Sequence, residues 1–580
     1  MAIKSTADKV ATIVQGYALE GPTIELGAAI VDGELRKEAP VRLPLAMMNR
    51  HGLVAGATGT GKTVTLHMIA EQLSTAGVPV FLADIKGDLS GLATAAAGSE
   101  KLLARTESLG QVWAGKTFPV EFLALGGDGN GIPVRATITS FGPILLSRVM
   151  DLNETQESSL QLVFHFADEK NLELIDLKDL RAVIQFLTSA EGKDELEELG
   201  GLSKATAGVI LRELITLEAQ GMEKFFGEPE FDTAELLRTA PDGRGVVSCL
   251  ELPTLQTKPM LFSTFLMWLL ADLFEDLPEA GDLDKPKLVF FLDEAHLLFN
   301  GASKAFLDAI TTTVRLIRSK GVGIFFVTQT PKDVPADVLG QLANRVQHAL
   351  RAYTPEDAKA LRATVSTFPT SDYDLEETLT TAGIGEAVIT VLNENGAPTP
   401  VALTRLRAPE SLMGPSTDEL IASTVAASAL LPKYGTAVDN VSAYEKIAAE
   451  SRENTGAAPT GPAAGTAHRS GAPDRARDGG QGGGLDPGAI DAEARRIEEE
   501  ILGRPSSRPS RSSAPGTPDA NMPERRPRPA QPTTGGGGGI GGDLAGALGG
   551  GLRSMARSLG TQLGRELLRG VFGTSSKRRR

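Results

Sequence analysis

The sequence predicts an α/β fold with a mostly parallel sheet, and three observations carry that prediction. Continuous apolar runs such as Leu53-Val54-Ala55 and Val78-Pro79-Val80-Phe81-Leu82-Ala83-Asp84 alternate with stretches of helical periodicity. A glycine-rich segment joins the first of these runs to the helix that follows it. Similar runs return at 245–251, 287–293 and 323–328, with 346–353 a further candidate. Strands apolar on both faces fit a parallel sheet covered by helices on each side.

The chain has 580 residues, too many for one ordinary core, and its last quarter lacks globular composition, so about two folded units are expected. A net charge of −15 argues against coating by nucleic acid, which needs broad phosphate neutralisation, but leaves room for a local basic groove. The single cysteine, Cys249, excludes an intrachain disulfide or thiolate metal site. It lies in the apolar run Val246-Val247-Ser248-Cys249-Leu250 and reads as a buried strand residue rather than a nucleophile. Residues 1–9 mix charges and open no apolar segment, so no secretory leader is predicted. The longest apolar stretch, 260–271, is too short to cross a bilayer and reads as a buried helix. A cytoplasmic protein without a transmembrane segment is the expectation.

Six segments follow from composition and periodicity. Residues 1–48 hold alternating runs such as Thr23-Ile24-Glu25-Leu26 and suggest a small β element. Residues 49–139 form the first part of the α/β core, 140–240 a mostly helical insertion, and 241–445 the second part of the core. That second part ends in a hairpin around Asn395-Gly396. Residues 446–545 are rich in Gly, Pro, Ser, Ala and Arg and are expected to be a disordered linker. In 546–580, Leu552, Met555, Leu559, Leu563, Leu567 and Val571 recur at helical spacing between arginines, which predicts a basic amphipathic helix. Three partners suit that helix: a protein surface, an anionic membrane, or nucleic-acid phosphate.

Gly56-Ala57-Thr58-Gly59-Thr60-Gly61-Lys62-Thr63 matches the phosphate-loop pattern G-x-x-x-x-G-K-[ST] in full, between a strand and a helix. Its glycines let the backbone curl so that amide groups face a phosphate, and the helix N-terminus adds its dipole. Lys62 is expected to reach the β- and γ-phosphates of ATP, and Thr63 to offer its hydroxyl to Mg²⁺. Farther on, Leu288-Val289-Phe290-Phe291-Leu292-Asp293-Glu294 is an apolar strand ending in two acids, a Walker B pattern. Asp293 suits the Mg²⁺ shell and Glu294 the activation of the attacking water. The adjacent glutamate favours turnover over a simple nucleotide switch. A single phosphate loop implies that the second wall of the site comes from another subunit, hence an oligomer, most simply a ring.

Gly323-Ile324-Phe325-Phe326-Val327-Thr328-Gln329 is a further buried strand, and Gln329 at its end is placed to sense the γ-phosphate. With these motifs on the page the chain resembles the HerA/FtsK superfamily of hexameric DNA-pumping ATPases, and more closely the bacterial HerA-like proteins. The matching blocks are 50–63, Ala83-Asp84-Ile85-Lys86-Gly87-Asp88, 287–300, 314–323 and 328–351. The resemblance implies a RecA-like core of the kind with a catalytic glutamate (ASCE), and a hexameric ring on duplex DNA. It also implies a sensor strand between the phosphate-loop strand and the Walker B strand, and an arginine finger just before that strand. Arg315 and Arg318 occupy that place, with Arg345 and Arg351 as weaker alternatives. Asp88 reads either as a residue that positions water or contacts a neighbour, or as part of a plain turn. The β-barrel on which archaeal relatives dock their nuclease has no counterpart of sufficient length here, and no run of Lys and Arg marks a pore loop. The first function expected is therefore a DNA-stimulated ATPase or translocase. The alternatives are an ATP-dependent protein remodeller or scaffold without a nucleic-acid substrate, and a slow nucleotide-binding regulatory module.

Overall fold

Twelve strands build one sheet in a computed structural model that describes residues 5–455, apart from 127–128, 199, 253–258, 282, 301 and 303. They are β1 (Thr23–Val31), β2 (Glu34–Pro44), β3 (Gly52–Ala55), β4 (Val80–Asp84), β5 (Val120–Leu125), β6 (Ile132–Val134), β7 (Val247–Glu251), β8 (Leu288–Leu292), β9 (Val322–Thr328), β10 (Asn344–His348), β11 (Glu386–Thr390) and β12 (Ala402–Leu406). Their order is β2-β1-β12-β11-β10-β3-β9-β8-β4-β7-β5-β6. From β10 to β6 every neighbouring pair is parallel, and from β10 out to β2 every pair is antiparallel. The fold is thus α/β with a mostly parallel sheet.

Burial explains the two halves. β3, β4, β8 and β9 are buried along their whole length, as strands between two helical layers must be. β1 begins with strict alternation of buried and half-buried residues, the mark of a strand with one wetter face. Within residues 1–48, expected to hold a small β element, β1 and β2 join the main sheet through the β1–β12 pairing, and a helix, Thr6–Gly16, precedes them. The hairpin around Asn395-Gly396 is β11 and β12.

Between β6 and β7 the chain forms helices Ile138–Val149, Glu154–Glu169, Leu177–Thr188, Lys193–Glu198 and Lys204–Ala219. Capping boxes at Asn153/Gln156 and Asp176/Asp179 start two of them, and Leu160, Val163, Leu180, Val183, Ile184, Ile210 and Leu214 bury their apolar stripes. The apolar stretch 260–271 lies in the helix Pro259–Asp276, with Phe265, Leu266 and Trp268 fully inside. Among the described residues no helix is long and apolar enough to cross a membrane.

Order persists beyond the boundary expected at 446. The helix Ala443–Thr455 continues to 455, and Asp179 anchors its start by accepting from Ser442 Oγ at 2.5 Å and the Tyr444 amide at 2.9 Å. Residues 456–545 of the expected linker and the basic helix at 546–580 lie outside the described residues.

Candidate active site

Parallel strands all point their C-terminal ends to one edge, and that edge collects the predicted site. Gly56 to Thr63 follow β3, Asp293 and Glu294 follow β8, and Gln329 follows β9. β9 lies between β3 and β8, hydrogen-bonded to both.

The loop is built to stay open toward a ligand. Gly61 caps the helix Lys62–Thr75 at φ 114°, and no side chain takes the hydrogen bonds of the helix's first turn. Those amides remain available to an anion. At Gly56 a methyl group would lie 2.4 Å from His348 Cβ, so only glycine lets the loop turn over β10. Backbone bonds fix the loop to its neighbours: Gly56 N to Thr328 O at 3.2 Å and Ala57 N to Ala349 O at 2.9 Å. Thr60 Oγ1 donates to Ala57 O at 2.7 Å, and Thr58 and Gly59 form the exposed tip. Lys62 is buried and folds back to donate to Gly56 O at 2.7 Å and Ala57 O at 3.3 Å. Burial pulls its pKa down, against the opposing pull of Glu294 and Asp293.

Asp293 is 5% exposed and accepts from the Glu294 amide at 2.9 Å. Burial raises its pKa to about 6. Glu294 sits at φ 46°, a left-handed conformation that costs an L-residue roughly 1–2 kcal/mol and aims the side chain off the strand axis. Its Oε1 is held by Lys86 Nζ. Its Oε2 lies 3.3 Å from His296 Nδ1, yet is buried without a hydrogen bond. Burial opposes the Glu294 charge, but the Lys86 ammonium outweighs it and keeps the carboxyl below the ordinary glutamate value.

Gln329 is exposed and lines an open cleft of about 600 Å³ with His296, Asn300 and Asp333. Thr63 is half-buried in the first turn of its helix. These residues fit a triphosphate with Mg²⁺. The uncapped helix start, the buried Lys62 and the unpartnered Glu294 Oε2 are groups that a polyanion, a cation and a water would satisfy, and Thr63 with Asp293 supplies the hard oxygen ligands Mg²⁺ prefers.

Arg315 and Arg318 are not part of this cluster. The helix Lys304–Ile317 runs back across the sheet, so both exposed arginines lie near the start of β9. Seven residues of strand, about 20 Å, separate that edge from Gln329. Arg345 is half-buried and donates to Thr367 Oγ1, whereas Arg351 is exposed beyond the end of β10, on the phosphate-loop edge.

Sequence reasoning missed three supports. Lys86 belonged to a quoted motif but carried no pattern of its own. His348, buried under the loop, holds Thr65 Oγ1 at 2.8 Å, and burial beside Lys62 lowers its pKa to about 4. Glu71, on the same helix as Lys62, accepts from Glu410 N and Ser411 N at 2.8 Å each and from Ser411 Oγ at 2.5 Å, strapping the 407–416 segment across the helix. Cys249 is buried in β7, as expected.

The family model of the helicase HerA-like C-terminal region matches residues 30–496. The chain belongs to this family. This HerA-like chain carries the complete phosphate loop Gly56 to Thr63 within the matched region. The DNA double-strand break repair helicase HerA of Saccharolobus solfataricus is 23% identical over 375 residues, covering 62% of this chain and 66% of that protein, just under two thirds of its length. Among solved structures it is similar to the plasmid coupling protein TrwB in complex with the ATP analogue ADPNP, at 15% identity, TM-score 0.46, and coverage of 72% of this chain and 96% of that one. VirB4 of Thermoanaerobacter pseudethanolicus gives 15% identity, TM-score 0.41, and coverage of 67% and 97%.

Three buried carboxyls give this HerA-like chain a pH signature. Burial raises Glu71 to about 7, and Asp84 and Asp293 to about 6 each. In the unfolded chain such groups titrate near about 4. Between those values these groups bind more protons in the folded state, so their contribution to stability falls as pH rises through the window. Three buried histidines, His51, His67 and His348, held down to about 4 by burial, pull the other way, so the test is the Glu71 contribution alone: Glu71→Gln is expected to gain in melting temperature relative to wild type from near about pH 5.5 to near about pH 7.5. A Glu71→Gln protein with the full wild-type slope in differential scanning calorimetry would remove Glu71 from this account.

Proposed function

We propose that this protein is an oligomeric, MgATP-hydrolysing HerA-like motor of the cytoplasm that acts on duplex DNA. In this reading the amides of Gly56 to Gly61 and the Lys62 ammonium bind the phosphates. Thr63 and Asp293 hold Mg²⁺, which supplies charge neutralisation at the β- and γ-phosphates. Glu294 accepts the proton of the attacking water, and Gln329 orients that water or reads the loss of phosphate.

One observation carries the oligomer. Arg315 and Arg318 lie at the opposite edge of the sheet from the phosphate loop, too far to serve their own site. An arginine that stabilises transition-state charge must then come from a second copy. The ring is the closed assembly that gives every site such a neighbour, and a hexamer is the form the superfamily resemblance implies. Family membership supports DNA as the track.

The test is steady-state ATP hydrolysis with and without duplex DNA, with the mass in solution measured by light scattering. Stimulation of about ten-fold or more by duplex DNA, in a protein heavier than a monomer, is the expected result. Lys62-dependent hydrolysis indifferent to DNA favours the protein-remodelling alternative, to which the net charge of −15 is better suited. A strictly monomeric, fully active protein contradicts the shared site.

A further inference from the structure

We propose that Lys86 is a positioning residue with two seats: on Glu294 it holds the enzyme idle, and on Asp88 it releases the base for turnover. The proposal rests on the ATPase reading of the site.

The loop that carries Lys86 is fixed. Asp84, at the end of β4, accepts from the amides of Gly87 at 2.7 Å, Leu89 at 2.9 Å and Lys86 at 3.2 Å. β4 is itself hydrogen-bonded to β8, the strand that ends at Asp293 and Glu294. The backbone of Lys86 therefore has nowhere to go, and movement is left to its four-carbon side chain, whose surface is 48% exposed.

The present seat blocks catalysis. An ammonium on Oε1 stabilises the ionised, weakly basic form of the carboxylate, and so weakens the pull of the unpartnered Oε2 on a proton of water. The other seat is vacant. Asp88 Oδ1 is buried with no hydrogen-bond partner, two residues along the same turn. A buried carboxylate oxygen without a partner is costly, and it is satisfied when an ammonium reaches it. The Asp293 charge, with that of Glu294, stabilises the Lys86 ammonium in its present seat. Once the Asp293 charge is engaged by bound ligand, that stabilisation weakens and Asp88 becomes the better partner.

The two seats predict opposite effects for the two partners. Lys86→Met, which keeps the stem and removes the charge, is expected to raise kcat without DNA about five-fold, with KM for ATP unchanged, because it ends the tax of the idle population. Lys86→Arg retains the low wild-type rate. Asp88→Asn, which weakens the second seat, is expected to lower kcat about three-fold, and to have no effect when combined with Lys86→Met. Binding of a fluorescent ATP analogue checks that every variant holds nucleotide. A fall in kcat for Lys86→Met, a rise in its KM, or additive effects in the double variant overturns the proposal. Lys62→Ala run alongside separates this from failure of the ATPase reading itself: if wild-type hydrolysis is unaffected by that change, the reading fails and the two-seat proposal falls with it.

Discussion

Replacing Lys62 with alanine is expected to lower kcat/KM for ATP by at least about a hundred-fold, the scale at which one preorganised donor to developing charge matters. Lys62 stands buried at the start of its helix, and its ammonium donates to two carbonyls of its own loop, Gly56 O and Ala57 O. Those contacts hold the ammonium inside the cradle where phosphates would lie, at little reorganisation cost. An alanine there leaves a water-sized space beside an open loop instead of a void in a core, so the fold is expected to survive. Circular dichroism should match wild type, while calorimetric titration with ATP shows weakened binding and a coupled assay shows no turnover. Hydrolysis within about three-fold of wild type would mean that the phosphates are not bound at this loop.

How much of this was legible in the sequence depends on whether the information is local. The phosphate loop is eight consecutive residues whose glycines are demanded by backbone geometry, so the motif and the strand and helix that flank it could be read directly. The buried strands β3, β4, β8 and β9 were readable because an apolar run covered on both faces has no polar alternation to confuse it. β5 was not read. Its run is broken by Glu121, which is buried only because Arg238, 117 residues away, meets its carboxylate at 2.7 Å. The same holds for the site. Lys86 and Glu294 are 208 residues apart, and a lysine after a strand carries no signature until the β4–β8 pairing sets it beside the acid. The continuation of β1 and β2 into the main sheet was equally invisible, because the pairing of Gly27 with Leu406 spans most of the described residues. The arginines show the converse limit: Arg315 and Arg318 were selected by their place before β9, and the fold shows that this place is the far edge of their own sheet.

Glu294→Gln is expected to separate binding from chemistry. The substitution preserves shape and removes the ability to accept a proton, so kcat should fall by about a hundred-fold or more, the range for a general base, while KM stays within about two-fold. Two features argue that the geometry survives. The positive φ of Glu294 is set by the turn after β8, which the Asp293 carboxylate fixes through the backbone amide of residue 294, so the amide side chain inherits the same aim. Lys86 would lose its anionic partner, but its loop stays pinned by Asp84. The variant should retain ATP after rapid gel filtration where wild type has released ADP, which a nucleotide-binding module with no need of Glu294 would not do. If the subunits share sites, sub-stoichiometric Glu294→Gln chains mixed with wild type should depress the rate by more than their own fraction, since each stalled site also withholds movement from its neighbour. A rate that falls only in proportion to the mixed fraction would mean that each chain hydrolyses alone, and the far-edge arginines would then need another role.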